Sequence, residues 1–96
     1  MKFEEQPIEI NNKRSEYMKE YGIEITYSWG DEEPIIKCKN KKDAWEKAKR
    51  MAVNEAEIVS EDHECEIGLI FNKEENKIIL HYTYDDEYCY YKIFPL

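Results

Sequence analysis

The stretch ECEIGLIF (64–71), NKEEN (72–76), KIILHYTY (77–84), DD (85–86) and EYCYYKIF (87–94) decides the fold of this chain. Its three longer runs are rich in β-branched and aromatic residues, which suit a pleated, half-buried surface. The two polar segments between them are of the kind that form hairpin loops. The sequence therefore predicts a three-stranded antiparallel meander over residues 64–94.

The hydrophobic pattern also predicts how these strands pair. The first hairpin places Phe71 opposite Ile78, and the second places Thr83 opposite Tyr88. Because side chains alternate along a strand, both pairings put their apolar residues on the same face. We expect that face to form the core, with Cys65 and Cys89 also on it. The predicted core residues are Ile67, Leu69, Phe71, Ile78, Leu80, Tyr82, Tyr91 and Ile93.

The opposite face of the meander is more aromatic than a face that only meets solvent requires. Tyrosine is enriched where proteins bind one another, so this face is the candidate interaction surface. Two alternatives stay open: cross-strand tyrosine pairs on an ordinary exposed sheet, or coverage of the face by the N-terminal segment. The candidate residues are Ile70, Ile79, His81, Tyr88 and Tyr90.

The rest of the chain supplies two helices and a second hairpin. Asn40 to about Glu57 predicts a helix, with Asn40 as its N-cap and an alanine-rich apolar stripe that also carries Trp45. Residues 23–29 and 35–39 predict two strands, and Lys13–Tyr21 predicts a short helix ended by Gly22. Residues 1–12 show no period, and we expect a disordered or edge segment there. Residues 13–96 are expected to form a single α+β domain, a two-layer sandwich. The members of the apolar helical stripe are Ala44, Trp45, Ala48, Met51, Ala52, Ala56 and Val59.

Composition places the chain among soluble globular domains. Its 96 residues are 42% hydrophobic, enough for one small core. No apolar run approaches the roughly 20 residues of a membrane span, and the start resembles no secretory signal, so we expect a cytoplasmic protein. Three cysteines, an odd number, predict structural thiols rather than disulfides. A zinc site from Cys38, Cys65, Cys89 and His63 is the alternative.

The charge is strongly negative and unevenly distributed. The net charge is −8, yet residues 37–50 are locally basic. Lysines crowd the start of the predicted helix and Glu55 and Glu57 lie towards its end, which is adverse to the helix dipole. Nucleic-acid binding is disfavoured because affinity for phosphates comes from accumulated positive charge. A compact acidic domain is compatible with a DNA-mimic inhibitor.

These observations predict a small acidic protein that binds another protein and is not an enzyme. The three glycines are scattered, so there is no phosphate loop, and two histidines supply no catalytic arrangement that we recognise. No cofactor is predicted. A small-molecule-binding module that uses the His81, Tyr88 and Tyr90 surface is the alternative, and a homodimer also stays open. The richness in Lys, Ile, Asn, Glu and Tyr is typical of AT-rich genomes, which points to a bacterial or phage origin.

Overall fold

The computed structural model describes residues 19–96, which form a five-stranded antiparallel sheet with one long helix packed on one face. The strands are β1 (Tyr21–Tyr27), β2 (Ile36–Cys38), β3 (Ile67–Asn72), β4 (Lys77–Tyr82) and β5 (Glu87–Pro95), and the helix is α1 (Lys41–His63). The strand order across the sheet is β2-β1-β5-β4-β3. The predicted α+β two-layer arrangement is confirmed.

The long pairing of β1 with β5 joins the N-terminal hairpin to the C-terminal meander. It runs from Tyr21 opposite Pro95 to Tyr27 opposite Cys89. The first and last strands of the chain, β1 and β5, are therefore neighbours in the interior of the sheet. Their pairing gives the sheet one continuous face for α1, and Ile23 and Ile93, which lie opposite each other, are both buried in it.

The helix begins as predicted and ends later than predicted. The Asn40 side chain accepts a hydrogen bond of 2.8 Å from the Asp43 backbone N–H, which satisfies one of the free donors of the first turn. The helix continues to His63 instead of ending near Glu57, because no Gly or Pro interrupts it and Val59 still packs against the core. Glu64 then adopts a left-handed conformation with φ of 50°. Residues 64–66 thus close the helix, and the prediction that they begin β3 was wrong.

The core lies between the apolar stripe of α1 and the predicted face of the sheet. Ala44, Ala48 and Ala52 are fully buried, and their small side chains let the helix lie close to the strands. Ile78, Leu80, Tyr82, Tyr91 and Ile93 are buried as predicted, while Ile67 and Leu69 are partly buried against them. Cys89 is also buried, but Cys65 lies outside β3 and is only half-buried.

Phe71 is the one predicted core residue of the sheet that the core leaves out, since its side chain is 44% exposed. It faces the helix side of the sheet, but β3 is the edge strand and Phe71 lies near its end. The Lys49 ammonium lies 6.0 Å from the centre of its ring. An edge position gives an inward-facing ring neighbours on one side only, which explains its exposure.

The first hairpin of the meander has the predicted register, and the second is shifted by two residues. Phe71 lies opposite Ile78 as expected, but Leu80 pairs with Cys89 and Ile78 with Tyr91. The shift arises because residues 83–86 form the loop, with Asp86 in a left-handed conformation at φ of 59°. A two-residue shift keeps the alternation, so every side chain stays on its predicted face.

The N-terminal elements differ from prediction at their ends. β1 starts at Tyr21, and Gly22 lies within the strand, so the predicted short helix does not extend to Tyr21 and Gly22 does not end it. A Cβ atom on Gly22 would lie 2.9 Å from the Phe94 ring, so any larger residue at this position would require that ring to shift. β2 is shorter than the predicted strand 35–39. The remaining predictions for 1–12 and for the start of the short helix fall outside the described residues.

Candidate functional site

The five candidate residues lie together on the sheet face opposite α1, which we call the outer sheet face. Ile70 is opposite Ile79, and Ile79 is opposite Tyr90, so these three form one row across β3, β4 and β5. His81 and Tyr88 form the neighbouring row. The sequence assigned these residues only to a common face. The structure shows that they form one continuous patch.

The rings of this patch are ordered by contacts with one another. The His81 and Tyr88 rings stack with centroids 4.5 Å apart and planes at 7°. Tyr88 and Tyr90 lie almost parallel at 6.1 Å. His81 Nε2 is 2.7 Å from Asp86 Oδ1, a contact that sequence reasoning missed because it depends on the conformation of the loop 83–86. The rings are therefore held in place before any partner arrives.

Gly68 completes the patch on β3. It lies opposite His81, and a Cβ atom at this position would approach the His81 Cβ to 3.1 Å. The absence of a side chain here leaves His81 room beside the edge strand. The glycine that sequence analysis noted only as scattered therefore has a local role in shaping the surface.

Exposure shows which part of the patch is open. Ile70 is 53% exposed, and Ile79, His81, Tyr88 and Tyr90 are half-buried by their neighbours in the sheet. Within residues 19–96, the only helix packs on the opposite face. An apolar and aromatic patch without cover in the described part of the chain is typical of a docking surface.

Within residues 19–96, the structure gathers most of the carboxylates at one end and places the basic residues, with six carboxylates among them, in the opposite half, whereas sequence analysis detected only local runs of charge. One end holds the loop 28–35, the second half of α1, the start of β3 and the loop 83–86. We call it the acidic end, and none of the Lys or Arg residues among 19–96 lies there. Its carboxylates are those of Asp31, Glu32, Glu33, Glu55, Glu57, Glu61, Asp62, Glu64, Glu66, Asp85, Asp86 and Glu87. The basic residues of the opposite half are Lys19, Lys37, Lys39, Lys41, Lys42, Lys47, Lys49, Arg50, Lys73, Lys77 and Lys92.

A chain of five rings, which we call the aromatic row, crosses the acidic end on the helix side of the sheet. Tyr27 stacks on Trp29 at 4.7 Å, and Trp29 lies 5.8 Å from Tyr82. Tyr84 follows at 6.2 Å from Tyr82 and stacks on His63 at 3.8 Å. Trp29 lies at the end of the strand predicted over 23–29, but no local pattern indicates that Tyr84, in the loop 83–86, would meet the end of the helix.

Carboxylates hold several of these rings in place. The Tyr27 hydroxyl donates to Glu33 at 3.2 Å, and the Trp29 indole N–H donates to Asp31 at 2.7 Å. Burial raises the pKa of Tyr27 above its ordinary value, and the nearby Cys89 and Glu33 raise it further. The phenol therefore stays protonated at neutral pH and acts as a hydrogen-bond donor to the carboxylate.

A groove runs beside the aromatic row, between α1 and the β1–β2 hairpin. Its volume is about 480 Å³. Its lining is mostly apolar, but Glu33 and Glu55 also contribute to it. The apolar lining residues are Ile25, Tyr27, Pro34, Ile35, Ile36, Met51 and Tyr91.

The basic half carries a separate groove at the start of α1, lined by Lys41, Lys42, Lys49 and Lys73 around Trp45. The Lys73 ammonium lies 5.9 Å from the centre of the Trp45 ring. Trp45 is buried, as the sequence predicted. The basic stretch 37–50 is thus a surface of this half of the domain, in which Lys49 lies over the Phe71 ring and Lys73 lies over the Trp45 ring.

The described residues form no recognisable metal or thiol chemistry. Among residues 19–96, no group of three or more His, Cys, Asp or Glu side chains is placed to hold a metal ion. The three cysteines are free and lie on β2, after α1 and on β5, so the alternative zinc site is not assembled. Burial raises the pKa of the Cys89 thiol to about 11, although hydrogen bonds with Tyr91 and Tyr82 oppose this. Cys89 is therefore a protonated core residue at neutral pH.

Comparisons of the chain with protein families, with curated proteins and with solved structures found no match. Within residues 19–96, no helix has the length and apolar character needed to cross a membrane. The inference of function therefore rests on the surfaces described above.

Proposed function

We propose that this protein is a small non-enzymatic binding module that docks another protein on its outer sheet face. The observation that carries the proposal is the continuous patch of Ile70, Ile79, His81, Tyr88 and Tyr90. Aromatic side chains at the centre of an interface, tyrosine and tryptophan above all, supply much of the binding energy in protein complexes.

The order of the rings supports this proposal. Binding a partner costs free energy when flexible side chains must be immobilised, by about 0.5–1.5 kcal/mol for each. Here the His81 ring is already fixed between the Tyr88 ring and the Asp86 carboxylate, and Tyr90 lies parallel to Tyr88. A surface that is ordered before binding loses less entropy when its partner docks.

The charges around the patch indicate the chemistry of the partner. Asp86 and Glu66 lie at one end of it. At the other end Lys77 and Lys92 lie opposite each other on β4 and β5, where Glu75 forms an ion pair with Lys77 and Glu24 lies opposite Lys92. The expected partner is a protein with an apolar ridge that is basic where it passes Asp86 and Glu66. A protein fits better than a small molecule because small-molecule sites are concave and this face is an open sheet.

A capture experiment followed by reconstitution tests the proposal. The full chain is used as bait in a lysate of the source organism, beside the Tyr88→Ala/Tyr90→Ala variant and the control Ile58→Ala. Ile58 is 48% exposed on α1, so the control removes a comparable apolar side chain from another face. A partner that the wild type and the control retain, and that the tyrosine variant loses, is then purified and its Kd measured.

The outcomes distinguish the alternatives. At least a tenfold loss of affinity in the tyrosine variant, with a folded far-UV spectrum and an unchanged control, supports the proposal. Equal binding by all three chains contradicts it. A rise of the melting temperature with a metabolite that depends on Tyr88 and Tyr90 would favour the small-molecule alternative. A partner that is lost only when acidic-end carboxylates are neutralised, and that nucleic acid displaces, would favour a DNA mimic.

A further inference from the structure

A second surface, on the helix side of the acidic end, has the composition of a site for an arginine or lysine side chain. We propose that the aromatic row and the adjoining groove bind a cationic side chain within a basic segment of a partner protein. This surface does not include the outer sheet face, so the inference does not depend on the function proposed above.

The groove provides both parts of such a site. Its apolar walls, including Ile25, Ile35 and Met51, suit the aliphatic stem of an arginine or lysine. Glu33 and Glu55 line the same groove and supply carboxylates for the charged head. Ile35 is 50% exposed, so the apolar wall is open to solvent for a ligand to cover.

Tyrosine hydroxyls orient these two carboxylates. The Tyr27 hydroxyl donates to Glu33 at 3.2 Å, and the Tyr82 hydroxyl donates to Glu55 at 3.5 Å. Each carboxylate retains a second oxygen with which it can accept from a guanidinium or ammonium group. The row therefore restrains the Glu33 carboxylate through a hydrogen bond and has the Tyr82 hydroxyl within reach of the Glu55 carboxylate.

The exposed rings of the row add a cation–π surface. Trp29 is 49% exposed and Tyr84 is 46% exposed. Tryptophan is the ring that attracts cations most strongly, and the attraction is effective to about 6 Å from the ring centroid. A segment with its basic side chains spread along the chain can reach the groove with one of them and Trp29 with another.

The aromatic rings at the two ends of the domain contact different charged groups. In the basic half, Lys73 lies over Trp45 at 5.9 Å and Lys49 lies over Phe71 at 6.0 Å. At the acidic end, none of the lysines or arginines of residues 19–96 lies over Trp29 or Tyr84. In the basic half, therefore, lysines of the domain lie over the rings. At the acidic end, the rings have carboxylates beside them and none of the described lysines or arginines over them. Charge complementarity therefore favours a basic partner at the acidic end.

The field of the whole acidic end favours the same ligand. Many negative charges gathered at one end raise the local concentration of a cationic ligand and the rate at which it associates. This long-range attraction is not specific to any residue and weakens as salt is added. The experiment must therefore distinguish binding in the groove and on the rings from attraction to the net charge.

Synthetic peptides provide that test. The probes are two blocked twelve-residue peptides, one of alternating Arg and Ala and one of alternating Gln and Ala, and binding to the full chain is measured by calorimetry at low salt. The variants are Trp29→Ala and Glu33→Gln/Glu55→Gln. The control, Glu74→Gln/Glu75→Gln, removes the same charge from the β3–β4 turn in the basic half. The Tyr88→Ala/Tyr90→Ala variant tests whether the outer sheet face takes part.

The inference predicts that the Arg peptide binds, that the Gln peptide does not, and that both acidic-end variants weaken binding at least fivefold. The Glu74/Glu75 control and the outer-face variant are expected to stay within twofold of the wild type. Equal losses in the two carboxylate variants would show attraction to net charge alone and would overturn the inference. Failure of the Arg peptide to bind would overturn it too, and would leave the outer-face proposal untouched.

A measurement on the wild-type chain avoids any effect of the substitutions on folding. On addition of the Arg peptide, the Trp29 indole N–H and the Tyr84 amide are expected to shift in a ¹⁵N NMR spectrum. The Trp45 indole N–H serves as the internal reference because Trp45 is buried in the basic half. Shifts confined to the basic half or to the outer sheet face would contradict the inference.

Discussion

Replacing Leu80 by alanine tests the assignment of the two sheet faces, because Leu80 is fully buried and its counterpart on the other face is not. The matched change is Ile70→Ala, since Ile70 is 53% exposed on the outer sheet face. Each substitution removes three carbon atoms. Only the first removes them from a closed core between the sheet and α1.

The two costs follow from burial. Three buried carbon groups at about 0.8 kcal/mol each give about 2.4 kcal/mol, and the cavity left in a packed core raises the cost of Leu80→Ala to about 4 kcal/mol. Ile70→Ala leaves no closed cavity. Because about half of the Ile70 side chain is already exposed, the substitution is expected to cost about half of the same transfer free energy, about 1 kcal/mol. The expected difference in the free energy of unfolding is therefore about 3 kcal/mol.

Urea unfolding followed by circular dichroism measures this difference. With a slope of about 1 kcal/mol per M for a domain of this size, Leu80→Ala is expected to lower the midpoint by about 4 M and Ile70→Ala by about 1 M, if the slope stays constant. The wild type sets the reference for both. Equal midpoints for the two variants, or a lower midpoint for Ile70→Ala, would show that the faces have been assigned the wrong way round.

Two further predictions concern stability. Stability is expected to fall as pH rises from 9 towards 11, because burial raises the pKa of Cys89 from 9.0 to about 11, so that the folded chain keeps a proton that the unfolded chain loses. The expected loss of unfolding free energy from Cys89 is about 2 kcal/mol. Burial also raises the pKa values of Tyr82 and Tyr91, so the loss continues at higher pH. Urea midpoints that stay constant from pH 8 to 10.5 would contradict this prediction. Asn40→Ala is expected to cost about 1 kcal/mol, because the Asp43 N–H loses its cap, whereas Asn40→Ser should retain most of the stability when the two variants are compared by urea unfolding.

The faces of the meander could be predicted from the sequence because alternation is a strong local pattern. The β4–β5 register was wrong by two residues, yet Leu80 and Tyr91 stayed in the core and His81 and Tyr90 stayed on the outer sheet face. Only an odd shift would have exchanged the faces. The candidate surface therefore tolerated an error in the loop.

What the sequence could not predict depends on conformations with weak local signals. Glu64 and Asp86 both adopt left-handed conformations that glycine or asparagine more often marks. The end of α1 and the 83–86 loop were consequently misplaced. Phe71 fits the core pattern, but it is exposed because β3 is an edge strand. No local sequence pattern predicts that β3 lies at an edge of the sheet.

The acidic end shows the same limit at longer range. Its carboxylates come from loop 28–35, α1, the start of β3 and loop 83–86, which are distant in the chain. Strand order and helix direction bring them to one end, and the β1–β5 pairing places loop 28–35 at the same end as loop 83–86. The aromatic row likewise joins Trp29 to Tyr82 and Tyr84 to His63, contacts that only the folded topology reveals.

The claim that a partner docks on the outer sheet face is tested most directly by isoleucine methyl NMR of the full chain with the purified partner. Ile70, Ile35 and Ile58 are 53%, 50% and 48% exposed, so they report on three faces with similar access to solvent. The account predicts that the δ1 methyl signals of Ile70 and Ile79 shift on binding while those of Ile35 and Ile58 do not. Shifts at Ile35 or Ile58 with none at Ile70 and Ile79 would contradict it.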